Sequence, residues 1–479
     1  MARRTFAALA ALALVALLAP RAGATDPSTT AATTASTTTT APATSGPTHL
    51  TTPVLSARRL PTLLAAHAAD AQLLATLGPI VAQATPTSCL VVKADGRTID
   101  DVNGALPVMP ASTEKLLTST AVLAHVKPDQ TFKTRAVTTG SVSGGVLTGD
   151  LYVVGGGDPL LQTSGEQPSQ EDPNEPYNDF AKLATAIKAA GITTVDGNVV
   201  GDESLFDTQR YVPSWPARYI TAGEVGPLIA LMVNGGFTGL TDNPEAPSPY
   251  RKAGDPPSLA AATLITLLRQ QGVTVSGGAA SAHAPAGARP VATLDSLPLS
   301  QDLLEMLRRS DNTTAELLTK YLGATVAGTG STAAGAKEVH DTLARLGLPT
   351  AGSVTVDGSG LDLGDRVTCN LLTAALDHAG PDSVLASSLP VAGQTGTLRN
   401  RLANTPAAGK VEAKTGTLDT VNALAGFAHS ASGQVLTFAF VINGSSPTAP
   451  ALLDQVAVAL SQYGAATPIA TLSPQAPGS

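Results

Sequence analysis

Apolar side chains follow two periods along this chain, and the changes of period mark its parts. Leu63, Leu64, Ala68, Leu73, Leu74 and Leu77 recur at helical intervals and predict a helix over 60–77. Cys89-Leu90-Val91-Val92-Lys93 then reads as a strand, Asp95-Gly96 as a hairpin turn, and Thr98-Ile99-Asp100 as the start of the returning strand. At Pro110 the helical period resumes, with Leu116, Leu117, Ala121 and Val122 on the apolar face. Proline suits that first turn because its backbone angle is preset and its missing N–H would have had no helical partner. After about Lys127 the chain becomes glycine-punctuated β material over 142–147 and 151–154. Two similar units follow. A helix over 179–190 ends at Gly191 before Ile192-Thr193-Thr194-Val195, and a helix over 259–271 ends at Gly272 before Val273-Thr274-Val275. Each glycine can close its helix ahead of a short strand, so the pair predicts a separate αβ lobe over 136–297. Helical spacing returns with Leu299, Leu303, Leu304 and Leu307, continues after Ser310-Asp311-Asn312, and recurs over 336–346 and 367–378. Between the last two, Val354-Thr355-Val356 reads as a strand running into a tight loop. The chain closes as β-β-β-α, with strands over 411–417, 423–428 and 436–442 and a helix carried by Leu452, Leu453, Val456 and Leu460. The expected fold class is α+β: an antiparallel sheet flanked by an N-terminal and a C-terminal helix and interrupted by an inserted αβ lobe.

The 479 residues divide accordingly. Arg3 and Arg4, the apolar run 6–18 and the small residues Ala22-Gly23-Ala24 read as a secretion signal over 1–24. The run is short for a membrane span, so an uncleaved anchor is the weaker alternative. Residues 25–55, rich in Thr, Ala, Ser and Pro and without apolar period, read as a disordered tether. The main domain then occupies 56–135 and 298–466 on either side of the lobe, and 467–479 is a disordered tail. Hydrophobic content of 43% against 14% charged fits a folded protein, and 3% aromatic residues leave the cores to aliphatic side chains. A formal net charge of −8 argues against nucleic acid as a partner. Two cysteines, Cys89 and Cys369, are an even count for an exported chain. A disulfide between them is the favoured reading over two separate buried thiols.

Three short patterns carry the candidate chemistry: Ser112-x-x-Lys115, Ser310-Asp311-Asn312 and Lys414-Thr415-Gly416-Thr417. Each occurs once, and they fall at a helix start, an interhelical loop and a strand. Ser112 and Lys115, three apart, share one helical face. A serine needs a base to become a nucleophile, and a lysine is a base only when burial or a second cation strips its charge. That pairing predicts a second cation nearby, for which Lys414 is the candidate. Ser310 can relay the proton to a leaving amine. Asn312 can hold Lys115 and donate to a substrate carbonyl. The N–H groups of Ser112 and Thr417 can form an oxyanion hole, and Lys414, Thr415, Gly416 and Thr417 can form a pocket for a terminal carboxylate. Glu114 points away from this side and reads as a solvated or helix-start charge. Other chemistries lack their signatures. There is no Gly-x-Ser-x-Gly, no histidine in a motif, and no His-Glu-x-x-His or thiolate set for a metal. The glycine run 155–157 lacks phosphate-loop spacing.

The same trio of patterns marks penicillin-binding proteins and serine β-lactamases. Over about 60–463 the chain resembles the type-4 penicillin-binding proteins, which are D-alanyl-D-alanine carboxypeptidases and endopeptidases. Beyond the trio, the resemblance rests on Leu106-Pro107-Val108 and Gly201-Asp202-Glu203-Ser204-Leu205-Phe206-Asp207. It also rests on Asp357-Gly358-Ser359-Gly360-Leu361, Leu389-Pro390-Val391-Ala392-Gly393, Gly396-Thr397-Leu398 and Ala413-Lys414-Thr415-Gly416-Thr417-Leu418. It implies a transpeptidase/β-lactamase-like domain split between its first two motifs by inserted domains, here fewer or smaller than the family's pair. It implies peptidoglycan stem peptides as substrate, an acyl-enzyme at Ser112, covalent inhibition by β-lactams, no cofactor, and a secreted, wall-associated enzyme. Asp202 matches a family position that meets the stem's amine. Where the family often has Ser-Arg after Gly-Ser-Gly-Leu, this chain has Asp362-Leu363; either an amidated stem or Arg366 reaching the stem's far carboxylate would reconcile the difference. Two alternatives remain. A β-lactamase would need a deacylating water, and no Glu-x-x-Leu-Asn is present. A catalytically idle wall-binding scaffold would have no use for an intact lysine pair.

Overall fold

A computed structural model describes residues 61–164, 176–240 and 250–465. The expected secretion signal, tether and tail, and most of the polar loop 167–177, lie outside the described residues. Five antiparallel strands form the main sheet in the order Val411–Leu418, Val421–His429, Val435–Asn443, Ser88–Ala94, Arg97–Val102. The central strands are apolar on both sides, and alternation sends successive residues to opposite cores. Cys89, Val91, Ala439 and Val441 join the helices Glu114–His125, Leu299–Arg309, Asn312–Thr325, Thr332–Arg345 and Cys369–Ala379 on one face. Leu90, Val92, Phe438, Phe440 and Ile442 meet the N-terminal helix Pro61–Val81 and the C-terminal helix Ala449–Ser461 on the other. The α+β class and the flanked antiparallel sheet are therefore as the periodicity predicts. A disulfide joins Cys89, in the sheet, to Cys369, the first residue of a helix lying on it.

A second sheet, in the order Ala279–Ser281, Val199–Asp202, Leu151–Val154, Thr131–Thr138, Arg289–Pro298, has its own core with the helices Ala181–Ala189 and Pro256–Gln270. The two helix–strand units of the sequence pair with each other here. Thr194–Val195 runs parallel to Thr274–Val275, and Val199–Asp202 parallel to Ala279–Ser281. The chain leaves and re-enters the main domain through the antiparallel strands Thr131–Thr138 and Arg289–Pro298. The expected lobe start at residue 136 falls inside the first of these. One expected strand is not formed. Val354 makes a single bridge with Arg366, because the N–H groups of Val356 and Asp357, two and three residues on, turn to the Asp365 carboxylate instead.

Candidate active site

The first motif sits in a tight turn. Ala111–Thr113 is a short 3-10 turn leading directly into the helix Glu114–His125. Ala111 takes a left-handed φ of 46°, a conformation that strains a non-glycine residue and persists only where its surroundings enforce it. Two glycines supply that enforcement. A Cβ on Gly360 would lie 1.9 Å from the Ala111 carbonyl oxygen, and one on Gly416 would lie 2.8 Å from that of Pro110. The strand Val411–Leu418, at the sheet's edge, thus lies directly against the turn that presents Ser112. One helical turn on, Lys115 is fully buried. Its Nζ donates to Ser112 Oγ (2.9 Å), Asn312 Oδ1 (2.7 Å) and the Ser359 carbonyl (2.7 Å).

The second motif stands where the helix Leu299–Arg309 ends. Ser310 closes it with a left-handed φ of 63°, and Asp311 caps the following helix through the Thr314 N–H. Lys414 Nζ, fully buried on the strand, donates to Ser310 Oγ at 2.8 Å and to the Thr415 carbonyl at 2.7 Å. The three motifs therefore meet. Around them lies a cleft of about 580 Å³ lined by Ser112, Ser310, Asn312, Thr415 and Thr417, joined by Tyr219, Glu224, Arg309, Leu361, Thr397, Leu418 and Asp419.

Charge in this region is governed by burial. It pushes Lys115 down to about 8, against Asp357, Asp311, Glu316 and Glu114, which favour the charged form. Lys414 lies well below the usual lysine range, first through burial and then through repulsion from Lys115. The sequence assigned the lowering of Lys115 to a second cation. The principal cause is desolvation, and the repulsion between the two ammonium groups is felt at Lys414. Glu114 is corrected more sharply. It is neither solvated nor at a free helix end but has no exposed surface, and burial beside Asp357 holds its carboxyl well above the usual range. The helix face that carries Glu114 meets protein, not water.

Asp202 and Arg366 are not brought into the cleft. Both Asp202 oxygens are used within the lobe, by the N–H groups of Ser204 and Ala284 at 2.7 Å each. Arg366 donates to the Leu363 and Asp365 carbonyls. Asn312 holds Lys115 as expected, and one of the two N–H groups of its Nδ2 donates to the Glu224 carbonyl at 2.8 Å. Sequence reasoning missed Thr397, whose hydroxyl pairs with that of Thr415 at 2.8 Å, although the Gly396-Thr397-Leu398 string contained it. It also missed Tyr219, Glu224 and Asp419, which no local pattern marks.

Residues 64–253 and 239–463 match the sequence model of the D-Ala-D-Ala carboxypeptidase 3 (S13) family. A D-alanyl-D-alanine carboxypeptidase of an Actinomadura species is 31% identical over 448 residues, covering 78% of this chain and 80% of its own. A carboxypeptidase of Mycobacterium tuberculosis is 32% identical over 422 residues, with 86% of each chain covered. Among solved structures, penicillin binding protein 4 of Haemophilus influenzae superposes with a TM-score of 0.68 at 23% identity, over 81% of this chain and 99% of that one, a likeness of fold.

Proposed function

Because this chain belongs to the D-Ala-D-Ala carboxypeptidase 3 (S13) family and is a serine-type D-alanyl-D-alanine carboxypeptidase, we propose that Ser112 is its nucleophile and Lys115 the base. The observation that carries this is the set of three acceptors around Lys115 Nζ. A neutral amine has two N–H groups and one lone pair. The Asn312 amide oxygen and the Ser359 carbonyl can only accept, so they take the two N–H groups. Of the three neighbours, only the Ser112 hydroxyl has a proton to offer the lone pair. Losing its charge thus turns Lys115 into a base aimed at Ser112.

The proposed course is as follows. Ser112 Oγ bonds to the carbonyl carbon of the penultimate D-Ala while its proton passes to Lys115. The Ser112 and Thr417 N–H groups receive the developing oxyanion, and the close approach at Gly416 supports their proximity. As the peptide bond breaks, Ser310, held by Lys414, relays to the departing D-Ala amine the proton that Lys115 took, which leaves Lys115 neutral again and Ser310 with its own proton. Water then cleaves the ester and frees Ser112. Thr415 and Thr417, which line the cleft with Arg309, offer hydroxyls and positive charge to the substrate's terminal carboxylate. Peptidoglycan stem peptides supply such ends, and a β-lactam would acylate the same serine. The buried disulfide supports an enzyme working outside the cytoplasm, where such bonds persist.

Incubation with a fluorescent penicillin tests this. A stable adduct is expected on the native protein and none on Ser112→Ala. An adduct surviving that substitution would overturn the assignment, and fast turnover of the label would point to a β-lactamase. A stem pentapeptide should yield tetrapeptide and free D-Ala, and a cross-linked dimer supplied in parallel reports on endopeptidase action.

A further inference from the structure

Behind Lys115, on the side away from the cleft, three carboxyl groups with no role in the proposed chemistry are packed into the protein. Glu114, Glu316 and Asp357 have no exposed surface. They converge on the loop 357–360. Glu316 Oε1 accepts from the N–H groups of Gly358 (3.0 Å) and Ser359 (2.9 Å), and Asp357 Oδ1 from those of Ser359 (3.0 Å) and Gly360 (2.6 Å). Two successive peptide groups are clamped in this way. In the first, the Ser359 N–H faces the acids and the Gly358 carbonyl accepts from Thr118 Oγ1 at 2.8 Å, on the lysine's own helix. In the second, the Gly360 N–H faces Asp357 and the Ser359 carbonyl accepts from Lys115 at 2.7 Å. The acids thus fix the dipole that holds the lysine. Asp357 Oδ2 also accepts from the Trp215 indole N–H, at 2.7 Å, and from the Asp362 N–H at 2.8 Å. Trp215 is the chain's only tryptophan, and it comes from the inserted segment.

We propose that Glu316 and Asp357 are positioning residues: together with the loop they clamp, they form a buried anionic cradle that sets how tightly Lys115 keeps its proton, and Trp215 ties that cradle to the inserted segment. The inference rests on the reading of Lys115 as the base for Ser112. The titratable groups facing Lys115 are Glu114 on its own helix, Glu316 and Asp311 from the next motif's helix and cap, Asp357 from the loop, and Lys414 from the strand. Asp365 stands behind, against Asp357 and Glu114. Burial alone would lower Lys115 further than it stands. The cradle works against burial and keeps the proton exchangeable near neutrality. Glu316 is itself raised to about 8 by burial and by Asp357. The first proton lost from the pair therefore comes partly from Glu316, leaving Lys115 charged and inactive.

Replacing Glu316 by Gln keeps an oxygen for the Gly358 and Ser359 N–H groups and removes the charge. The experiment measures the acylation rate by fluorescent penicillin from pH 5.5 to 9 for the native protein, Glu316→Gln and Trp215→Phe. In the native protein the rate should rise with pH. In Glu316→Gln the rising limb should reach its plateau at lower pH. Glu316 is already protonated near pH 6, so the rate there should match the native one, while the rate near pH 8 relative to the plateau is raised roughly 2-fold. Trp215→Phe, which withdraws one donor from the Asp357 carboxylate, should move it less and in the same direction. A fall in rate with an unmoved limb would overturn the proposal and leave Glu316 a purely structural residue. Absence of any native adduct would instead refute the assignment of Ser112. Should either variant fail to fold, Trp215 emission in the native protein serves as the second measurement. It should change across the same pH range as the rate, and flat emission would refute the cradle.

Discussion

Two buried lysines in one cleft cannot both keep their charge cheaply, and the structure divides the burden between them unequally. Lys115 lies among acids that return part of what burial removes, whereas Lys414 has only hydroxyl and carbonyl oxygens as bonded partners. Since the neutral amine is the base, acylation should increase with pH with a midpoint near the value of about 8 that burial gives Lys115. The sign is fixed: below that pH the lone pair is occupied. Lys115→Arg keeps the positive charge but cannot be deprotonated. It should lower acylation by about 10²- to 10⁴-fold, the usual worth of a general base, while leaving a folded protein. Stopped-flow acylation of Lys115→Arg checks this, and near-native rates would exclude Lys115 as the base. At this scale the trio was legible because its chemistry dictates residue types at fixed spacing. Glu114 was not legible, because helical geometry tells which side a residue faces but not whether that side meets water or protein.

At the level of elements, the site depends on how near an edge strand can come to a helix start. Gly416 is the point of contact, and an added methyl would lie 2.8 Å from the rigid Pro110 carbonyl oxygen. Gly416→Ala should therefore push strand and turn apart. Overpacking of this kind costs about 1–3 kcal/mol, and misplacement by about 1 Å can cost about 10²-fold in rate. The expected result is at least a roughly tenfold loss of acylation with a modest drop in Tm, read by labelling rate and thermal melting. The helix Leu299–Arg309, which delivers Ser310, conceals a second feature. Asp302 is fully buried with both oxygens lacking hydrogen-bond partners, and burial together with Asp158 raises its carboxyl well above the usual range. The folded protein therefore binds a proton there that the unfolded chain releases near pH 4, and this contribution weakens as pH rises. Asp302→Asn removes the titration at nearly constant shape. Its Tm relative to the native protein should climb between pH 5 and 8, and a constant difference would refute the assignment. Elements of the main sheet were legible from alternation and turn residues. The failed strand at Val354 was not, because a carboxylate eight to nine positions further along intercepts the N–H groups of Val356 and Asp357.

Across the whole molecule, the inserted segment is less separate from the chemistry than its repeated pattern suggested. Trp215 and Ser214 hold Asp357 and Asp362, Asn312 donates to the Glu224 carbonyl, and Arg218 pairs with Asp419, the residue just past the end of the lysine strand. None of this could be read locally, since each contact joins residues more than 80 positions apart and no periodicity encodes a partner at that range. The disulfide shows the same division. The sequence supplied a reason for two cysteines to pair, while the fold supplies the consequence, a covalent tie between the central sheet and the helix Cys369–Ala379 across 280 positions of chain. A loop of that length leaves the unfolded chain many conformations to lose, so the cross-link should stabilise by about 2–5 kcal/mol on the chain-entropy account. The catalytic motifs lie on other elements. Cys89→Ser combined with Cys369→Ser should therefore lower the denaturation midpoint and Tm clearly while labelling by penicillin at 25 °C proceeds at close to the native rate. If labelling collapsed in variants still folded by circular dichroism, the sheet and its covering helix would have to be counted among the parts that align Ser112 with Lys414.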